Sequence, residues 1–333
     1  MIIKYLLVLA ISFCACLILM PVVIACAKKL KLRQTVLHYV DAHAGKSGTP
    51  TMGGVAFVIV TFVVTLIFSG ENNSLAFMLA ILTLGFALIG FLDDFIKVFF
   101  HRNEGLLPWQ KIVFQSLTAL IVSVFVYNNP VVGDKLYLPF TMREISLGVF
   151  AVPFYAFIFI AFTNAVNLTD GLDGLAGKTG VVYTAFFVTI LLIVCYAFGV
   201  DEISANEYKN ISVFCFALIG STCAFLIFNS YPAKIFMGDT GSLALGGAFA
   251  GLAVMSKMSL IAPVIGVVYV ISCLSDVIQV LHYKRTKKRV FLMAPFHHHL
   301  EKKGWHENKI VSLYTALTFL VGVFTLIITI ALV

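Results

Sequence analysis

Ten apolar runs, separated by short polar segments, divide the whole length of the chain. They lie at about residues 5–27, 53–69, 75–99, 110–128, 146–163, 179–200, 211–230, 242–256, 259–282 and 310–333. Because a helix needs roughly 20 apolar residues to cross the hydrocarbon core of a membrane, the pattern predicts about ten transmembrane helices. The eighth run is the shortest and contains Gly246, Gly247 and Gly251, which predicts a helix that is either tilted or packed closely against its neighbours. Pro153 in the fifth run predicts a kink.

The composition agrees with an integral membrane protein and excludes a soluble globular one. Of the 333 residues, 60% are hydrophobic and only 12% are charged, whereas about a quarter of the residues are charged in soluble domains. Ten spans leave too little chain for a large soluble domain. We therefore expect residues 1–333 to form a single all-α, polytopic membrane domain.

The positive charges lie mostly in alternate loops. Eighteen of the 23 lysines and arginines fall in the loops after the first, third, fifth, seventh and ninth runs. Since cytoplasmic loops of membrane proteins are enriched in lysine and arginine, these loops are predicted to be cytoplasmic and both termini extracytoplasmic. The net charge of +7 therefore indicates orientation and needs no nucleic acid as a partner.

Five carboxylates lie at the predicted cytoplasmic ends of these helices: Asp93, Asp94, Asp170, Asp173 and Asp239. An unpaired carboxylate at such an apolar boundary is costly, so each needs a cation, water or a hydrogen-bond donor. Each group also has an ordinary structural interpretation. Asp93 and Asp94 can lie at a solvated helix end, Asp170 and Asp173 can belong to Asp-Gly turns, and Asp239 can be a helix N-cap. The i, i+3 spacing of Asp170 and Asp173 predicts that they share one helical face.

Two further loops on the same side carry polar groups suited to a phosphorylated ligand. Residues 43–54 are rich in glycine and hydroxyl groups and contain Lys46, but they lack the Walker spacing, and a simple turn into the second helix is an equal interpretation. Residues 293–305 contain His297, His298 and His299. Adjacent side chains diverge, which disfavours zinc and favours either a histidine that donates to a phosphate or ring carbonyl, or a structural polar patch.

Together, the carboxylates predict a metal site at the membrane surface. All five lie at or after the ends of odd-numbered helices, so they can meet at one boundary between membrane and cytosol. Clustered carboxylates favour Mg²⁺, which prefers oxygen ligands and bridges to substrate phosphates. A site at this boundary suits a water-soluble phosphate donor and a lipid acceptor. The residues therefore predict Mg²⁺-dependent phosphoryl-group transfer onto a membrane lipid.

Five motifs, in order along the chain, carry a resemblance to a known family. They are Gly48-Thr49-Pro50-Thr51-Met52-Gly53-Gly54, Leu92-Asp93-Asp94, Asn167-Leu168-Thr169-Asp170-Gly171-Leu172-Asp173-Gly174-Leu175, Phe236-Met237-Gly238-Asp239-Thr240-Gly241-Ser242, and Ala294-Pro295-Phe296-His297-His298-His299 with Glu301-Lys302-Lys303-Gly304-Trp305. With these motifs the chain resembles the polyprenyl-phosphate N-acetylhexosamine-1-phosphate transferases from its first helix to its tenth. The last motif is similar to that of the phospho-N-acetylmuramoyl-pentapeptide transferases within that superfamily.

The resemblance implies a reaction, a cofactor and a set of site residues. UDP-N-acetylmuramoyl-pentapeptide would give its phospho-sugar to undecaprenyl phosphate in the bacterial cytoplasmic membrane, producing lipid I and UMP with Mg²⁺, and the family forms homodimers. Asp239 would hold the metal, Asp93 would be the candidate base toward the lipid phosphate, and Asp94 would position metal or phosphate. Lys97 and Lys111 match basic positions near the phosphates. Positions that line the nucleoside and diphosphate site match Lys46, Thr51, Asn167, Asp170, Asp173, Asn229, Phe236 and His297.

The chemistry of the acceptor constrains the mechanism. A lipid monophosphate has a second pKa of about 6, so at pH 7 it is mostly a dianion and already a nucleophile. Positioning and charge neutralisation should then supply most of the rate, and we favour direct in-line attack over a covalent aspartyl-phosphate intermediate. Two other functions stay open. One is a sister enzyme that transfers N-acetylglucosamine 1-phosphate, and the other is an ion-coupled transporter that uses carboxylates such as Asp276 as a relay.

Overall fold

The structure is a computed structural model, and it describes residues 1–30, 32, 48–71, 73–100, 105–141 and 143–332. Along these residues the helices are α1 Ile2–Lys29, α2 Gly54–Phe68, α3 Ser74–Phe99, α4 Pro108–Tyr127, α5 Ala151–Thr169, α6 Leu175–Ala197, α7 Glu202–Asn229, α8 Gly238–Met255, α9 Ala262–Ile265, α10 Val267–Thr286, α11 Phe296–Lys302 and α12 Glu307–Ala331. Two short strands, β1 Lys135–Tyr137 and β2 Glu144–Ser146, form an antiparallel hairpin between α4 and α5. A 3₁₀ turn, Gly148–Phe150, precedes α5.

Each predicted apolar run contains one long helix, and the chain is an all-α polytopic membrane protein. The ninth run is divided into the four-residue α9 and the long α10. Among the described residues, eight helical segments are long and apolar enough to cross a membrane: α1, α3, α4, α5 with its preceding turn, α6, α7, α10 and α12. α2 has 15 residues and α8 has 18. The seven-residue α11, which carries the three histidines, is too short and too polar to give an apolar run.

The eighth helix is enclosed by its neighbours. All residues from 240 to 255 are buried, although few of them are large. A Cβ on Gly246 would lie 2.5 Å from the Cα of Thr163 in α5, and one on Gly247 would lie 2.4 Å from the ring of Phe86 in α3. Of the two alternatives predicted for this run, the structure confirms close packing, which holds α3 and α5 directly against α8.

The start of the fifth helix differs from the prediction. Residues 144–146 pair with residues 135–137 in the hairpin, and α5 begins only at Ala151. Pro153 therefore lies in the first turn of α5, where its missing N–H group would have no partner within the helix. At this position the proline gives no reason to expect a kink in α5.

A carboxylate from α7 caps the N-terminus of α3. Glu207 is buried, and its carboxylate oxygens accept hydrogen bonds from the backbone N–H groups of Ser74 at 3.1 Å and Leu75 at 3.0 Å. Asn73, at the N-cap position of α3, makes no side-chain capping bond. Glu207 therefore satisfies amide groups that the helix itself leaves without partners.

Candidate active site

Three aspartates from two helices meet at one end of the bundle, here called the carboxylate face. Asp93 and Asp94 lie near the C-terminal end of α3, and Asp239 lies in the first turn of α8. Each contributes one carboxylate oxygen to a group of atoms that lie within 4.8 Å of one another. Gly90 permits this approach, because a Cβ at that position would lie 2.1 Å from the carbonyl oxygen of Asp239.

Two lysines contact these carboxylates. The Nζ atom of Lys97 lies 2.6 Å from Oδ2 of Asp93 and 2.9 Å from Oδ2 of Asp239. α4 brings Lys111, whose Nζ lies 2.8 Å from the same Asp239 oxygen. With three carboxylates and two ammonium groups, the fully ionised cluster keeps a formal surplus of one negative charge. This surplus favours the binding of a further cation.

Asp94 is the aspartate that holds α8. It is 4% exposed, and its oxygens accept hydrogen bonds from the backbone N–H of Asp239 at 3.1 Å and from the backbone N–H and hydroxyl of Thr240 at 2.9 and 2.7 Å. Met237, at the N-cap position of α8, makes no side-chain capping bond. Asp94 therefore caps α8 from a neighbouring helix, as Glu207 caps the opposite end of α3.

Asp93 and Asp239 each have one oxygen that is held and one that is directed at lysine. Oδ1 of Asp93 accepts the backbone N–H of Leu106 at 3.0 Å, and Oδ2 faces Lys97. Oδ1 of Asp239 accepts the Nδ2 group of Asn167 at 2.9 Å, and Oδ2 faces the two lysines. A cation can replace lysine at these two Oδ2 atoms without breaking a contact to the backbone.

Two hydroxyl residues that the sequence analysis did not select support the cluster. Thr240 donates to Asp94, and Oγ of Ser242 lies 2.8 Å from the same Asn167 Nδ2 that holds Asp239. Thr240 follows Asp239 directly and Ser242 lies two positions further along, in an Asp-Thr-Gly-Ser sequence. Small hydroxyl residues in the first two turns of a buried helix were the available signal, since such residues bond to nearby polar groups.

The linker of residues 170–174 joins α5 to α6 beside the cluster. Asp173 is buried, its Oδ2 accepts the backbone N–H of Ala233 at 3.0 Å, and its own N–H donates to Glu307 at 2.5 Å. Burial raises the pKa of the Asp170 carboxyl well above its usual range, and the negative charges of the aspartate cluster act in the same direction. The predicted common helical face of Asp170 and Asp173 is wrong, because both residues lie between the two helices.

The glycine-rich segment before α2 pairs with the loop that precedes α8. The backbone N–H of Phe236 donates to the carbonyl of Pro50 at 2.8 Å, and the N–H of Gly53 donates to the carbonyl of Phe236 at 2.9 Å. A Cβ on Gly238, next to Asp94, would lie 3.0 Å from the hydroxyl of Thr51. Thr51 and Phe236 are thereby held close to the carboxylates.

For two other residues predicted to bind substrate, the structure shows no contact with the aspartate cluster within the ranges that it describes. Asn229, at the end of α7, is 2% exposed, and its Nδ2 group donates to the carbonyl of Ile235 at 3.0 Å. It therefore shapes the loop before α8. Lys46 lies outside the described residues.

Two of the three consecutive histidines, His297 and His298, face Gly171 in the linker between α5 and α6. His297 is fully buried against Gly171, where a Cβ would lie 2.3 Å from its Nε2 atom. Nδ1 of His298 lies 2.6 Å from a carboxylate oxygen of Glu301, whereas Nδ1 of His299 accepts a backbone N–H at 3.0 Å. His298 contacts the same linker between α5 and α6, since its Nε2 atom lies 3.1 Å from the Cβ position on Gly171.

Comparison with known proteins gives the family. The model of glycosyl transferase family 4 matches residues 76–257, and the phospho-N-acetylmuramoyl-pentapeptide-transferase signature 1 matches residues 46–58. The phospho-N-acetylmuramoyl-pentapeptide-transferase of Clostridium perfringens (strain 13 / Type A) is 43% identical over 318 residues, which cover 95% of each chain. Proteins of the same name from Desulfitobacterium hafniense (94% of each chain) and Thermoanaerobacter sp. (95% of this chain and 96% of the relative) are also 43% identical. The chain therefore belongs to glycosyl transferase family 4 and, within it, to the phospho-N-acetylmuramoyl-pentapeptide transferases.

Proposed function

We propose that this chain transfers phospho-N-acetylmuramoyl-pentapeptide from its UDP-linked donor to undecaprenyl phosphate, giving lipid I and UMP. The observation that carries the proposal is the cluster of Asp93, Asp239, Lys97 and Lys111 at the ends of membrane helices. A lipid phosphate and a water-soluble nucleotide can meet at such a place. The names of the relatives support the same reaction.

The cofactor in this proposal is Mg²⁺. The available donors are carboxylate oxygens, which Mg²⁺ prefers, and they lie within 4.8 Å of one another, compared with about 4 Å between opposite ligands of this ion. Asp239 would hold the metal, and Oδ2 of Asp93 would be the second ligand, because Asp94 is engaged with α8. When bound, the ion would neutralise charge on the donor diphosphate.

The acceptor phosphate attacks the donor directly in this mechanism. One acceptor oxygen forms a bond to the phosphorus that carries the sugar, and the bond from that phosphorus to the departing UMP oxygen breaks. Because the acceptor is already mostly a dianion at pH 7, Asp93 is needed as a base only for the monoanionic fraction, and the ammonium of Lys97 beside it would orient the acceptor phosphate. Lys97 and Lys111 exchange their contacts with Asp239 for phosphate oxygens, where their charge stabilises the departing UMP.

The donor side of the site consists of the remaining predicted residues. We assign recognition of the nucleoside and diphosphate to Lys46, Thr51, Asn167, Asp170, Asp173, Asn229, Phe236 and His297. Asn167 would act beside Asp239, whose carboxylate it already contacts. Asp173 and Asn229 would act through the loops that they hold in place.

The carboxylate face is cytoplasmic in this proposal, and the membrane is the bacterial cytoplasmic membrane. The positive charges of the loops on that face support this orientation, which gives the site access to a soluble nucleotide. We also propose a homodimer, on the family resemblance alone.

One assay tests the reaction and the donor together. Purified protein in detergent is mixed with Mg²⁺, undecaprenyl phosphate and either UDP-N-acetylmuramoyl-pentapeptide or UDP-N-acetylglucosamine, and the released UMP is measured. We expect release from the muramoyl donor only, and only when the acceptor is present. Release from UDP-N-acetylglucosamine alone would support the sister enzyme, and release without acceptor would support a covalent intermediate. No release from either donor, in unmodified protein and Asp239→Ala alike, would refute the transfer reaction.

A further inference from the structure

A groove lies between α6 and α12 and opens at the carboxylate face. Its volume is about 530 Å³, which lies within the range of about 300–1,000 Å³ that is typical of small-molecule sites. No residue of the aspartate cluster lines it. The residues that line this α6–α12 groove are Lys178, Val182, Val311, Ser312, Thr315, Ala316, Phe319 and Leu320.

The groove is closed at its inner end, where the two helices touch. A Cβ on Gly322 in α12 would lie 2.3 Å from the ring of Phe186 in α6, and the same ring packs edge-to-face on Phe319 with 5.4 Å between centroids. At a rise of about 1.5 Å per residue, the distance along α6 from Lys178 to Phe186 is about 12 Å. One leaflet contributes about 15 Å of hydrocarbon, half of the membrane core. The groove therefore matches a chain from a single leaflet.

One cation stands at the open end of this otherwise apolar groove. Lys178 lies in the first turn of α6, and its Cε atom lies 3.4 Å from the position of a Cβ on Gly174, so its side chain runs back toward the membrane surface. Within the part of the chain that the structure describes, Lys178 has no ion-pair partner. The hydroxyl groups of Ser312 and Thr315 donate to carbonyls of their own helix. A matching ligand thus has one anionic group beside Lys178 and an apolar chain below it.

We propose that the α6–α12 groove binds an anionic phospholipid from the leaflet on the carboxylate face. The phosphate would lie at the Lys178 ammonium, and one acyl chain would lie against Ala316 and Phe319. No residue of the aspartate cluster lines this groove, which separates its ligand from the acceptor of the proposed reaction. Because Lys178 follows the 170–174 linker closely, the bound lipid would steady the linker that carries Asp170.

Lipid binding without any substrate tests this proposal independently of the transfer reaction. Purified protein in detergent is titrated with phosphatidylglycerol or with phosphatidylcholine of the same acyl chains, and the first bound lipid is followed by native mass spectrometry. We expect phosphatidylglycerol to bind more tightly. Lys178→Gln should weaken its binding about fivefold, the equivalent of about 1 kcal/mol for one lysine near an anionic headgroup. Lys303→Gln, an exposed lysine outside the groove, is the matched control and should leave binding unchanged.

Two further variants separate the charge from the groove. Lys178→Arg keeps the charge and should retain the preference for phosphatidylglycerol. Ala316→Trp fills the groove and should weaken both lipids. If Lys178→Gln keeps the full preference, or if folded Ala316→Trp binds both lipids as tightly as unmodified protein, the proposal is overturned. The Lys178→Gln and Lys178→Arg pair decides the matter even if the tryptophan variant fails to fold.

Discussion

Replacing Asp94 by asparagine should damage the site by releasing the first turn of α8. The Asp94 carboxylate accepts three hydrogen bonds, from the N–H of Asp239 and from the N–H and hydroxyl of Thr240. Asparagine has nearly the same size, but it lacks the charge and presents an NH₂ group in place of one acceptor oxygen. At least one donor at the start of α8 then faces another donor.

The size of this effect follows from the bonds that are lost. A hydrogen bond to a charged group contributes about 1.5–3 kcal/mol, and a buried donor without a partner costs about 1–3 kcal/mol. Loss of the negative charge at a helix N-terminus adds about 0.3–1 kcal/mol. Because these contributions overlap, we expect Asp94→Asn to lower the free energy of unfolding by about 2–4 kcal/mol. Displacement of Asp239 by the released turn should lower kcat about 100-fold, the equivalent of about 2.7 kcal/mol in the barrier.

Three measurements on the same samples test this reasoning: the thermal midpoint, kcat for UMP release, and Mn²⁺ affinity by electron paramagnetic resonance. Thr240→Val is the matched variant, since it removes one of the three donors and should cost about 1 kcal/mol. The double variant should show a coupling of about 0.5–3 kcal/mol with Asp94→Asn. If Asp94→Asn melts like the unmodified protein and loses only Mn²⁺ binding, Asp94 is a metal ligand and the capping role is refuted.

Three further changes test the same geometry. Gly90→Ala would place a Cβ 2.1 Å from the carbonyl oxygen of Asp239 and should sharply lower Tm and activity. Gly85→Ala in the same helix is the control and should be tolerated, because the nearest atom to its Cβ would lie 3.4 Å away. Similar melting curves for the two variants would contradict the close contact at Gly90. Lys111→Met removes the ammonium group that lies 2.8 Å from Oδ2 of Asp239. This change should lower kcat/KM for UMP release about 100-fold, with little change in Tm. An unchanged rate would exclude Lys111 from the reaction. Asp170→Asn should raise Tm at pH 7. The folded-state pKa of Asp170 is raised, so as the pH increases this carboxyl ionises in the unfolded chain before it ionises in the folded protein. Ionisation therefore destabilises the folded state at pH values above the ordinary pKa of 3.8, and asparagine removes this cost. Melting curves recorded down to about pH 4 should show this gain shrinking, and a gain that is constant with pH would contradict the assignment.

Local patterns were enough to predict the helices and the gathering of carboxylates at one end of the bundle. Helix length and apolar periodicity are local properties, and the glycines of the eighth run already indicated close packing of α8 as one of two alternatives. Local patterns did not predict the contacts between the ends of different helices. Asp94 and Thr240 lie 146 residues apart in the chain, and no local spacing indicates that one of them caps the helix of the other.

Two differences in detail have local causes. The i, i+3 spacing of Asp170 and Asp173 resembles a helical face, but α5 ends at Thr169, and Gly174 adopts a positive φ of 75° before α6 begins. The apolar residues before Ala151 belong to the hairpin strand and the 3₁₀ turn, which hydropathy alone does not separate from a helix.

The role of Asp239 as the residue that holds the cation is tested most directly by the dependence of UMP release on Mg²⁺ concentration. Initial rates are measured for the unmodified protein and for Asp239→Asn, with Tm recorded for both. We predict a saturable dependence on Mg²⁺ and no release with a chelator in the unmodified protein, and a rate about 10³-fold lower in folded Asp239→Asn at every Mg²⁺ concentration. UMP release by Asp239→Asn at the unmodified rate, or full activity of the unmodified protein in the presence of the chelator, would contradict this role.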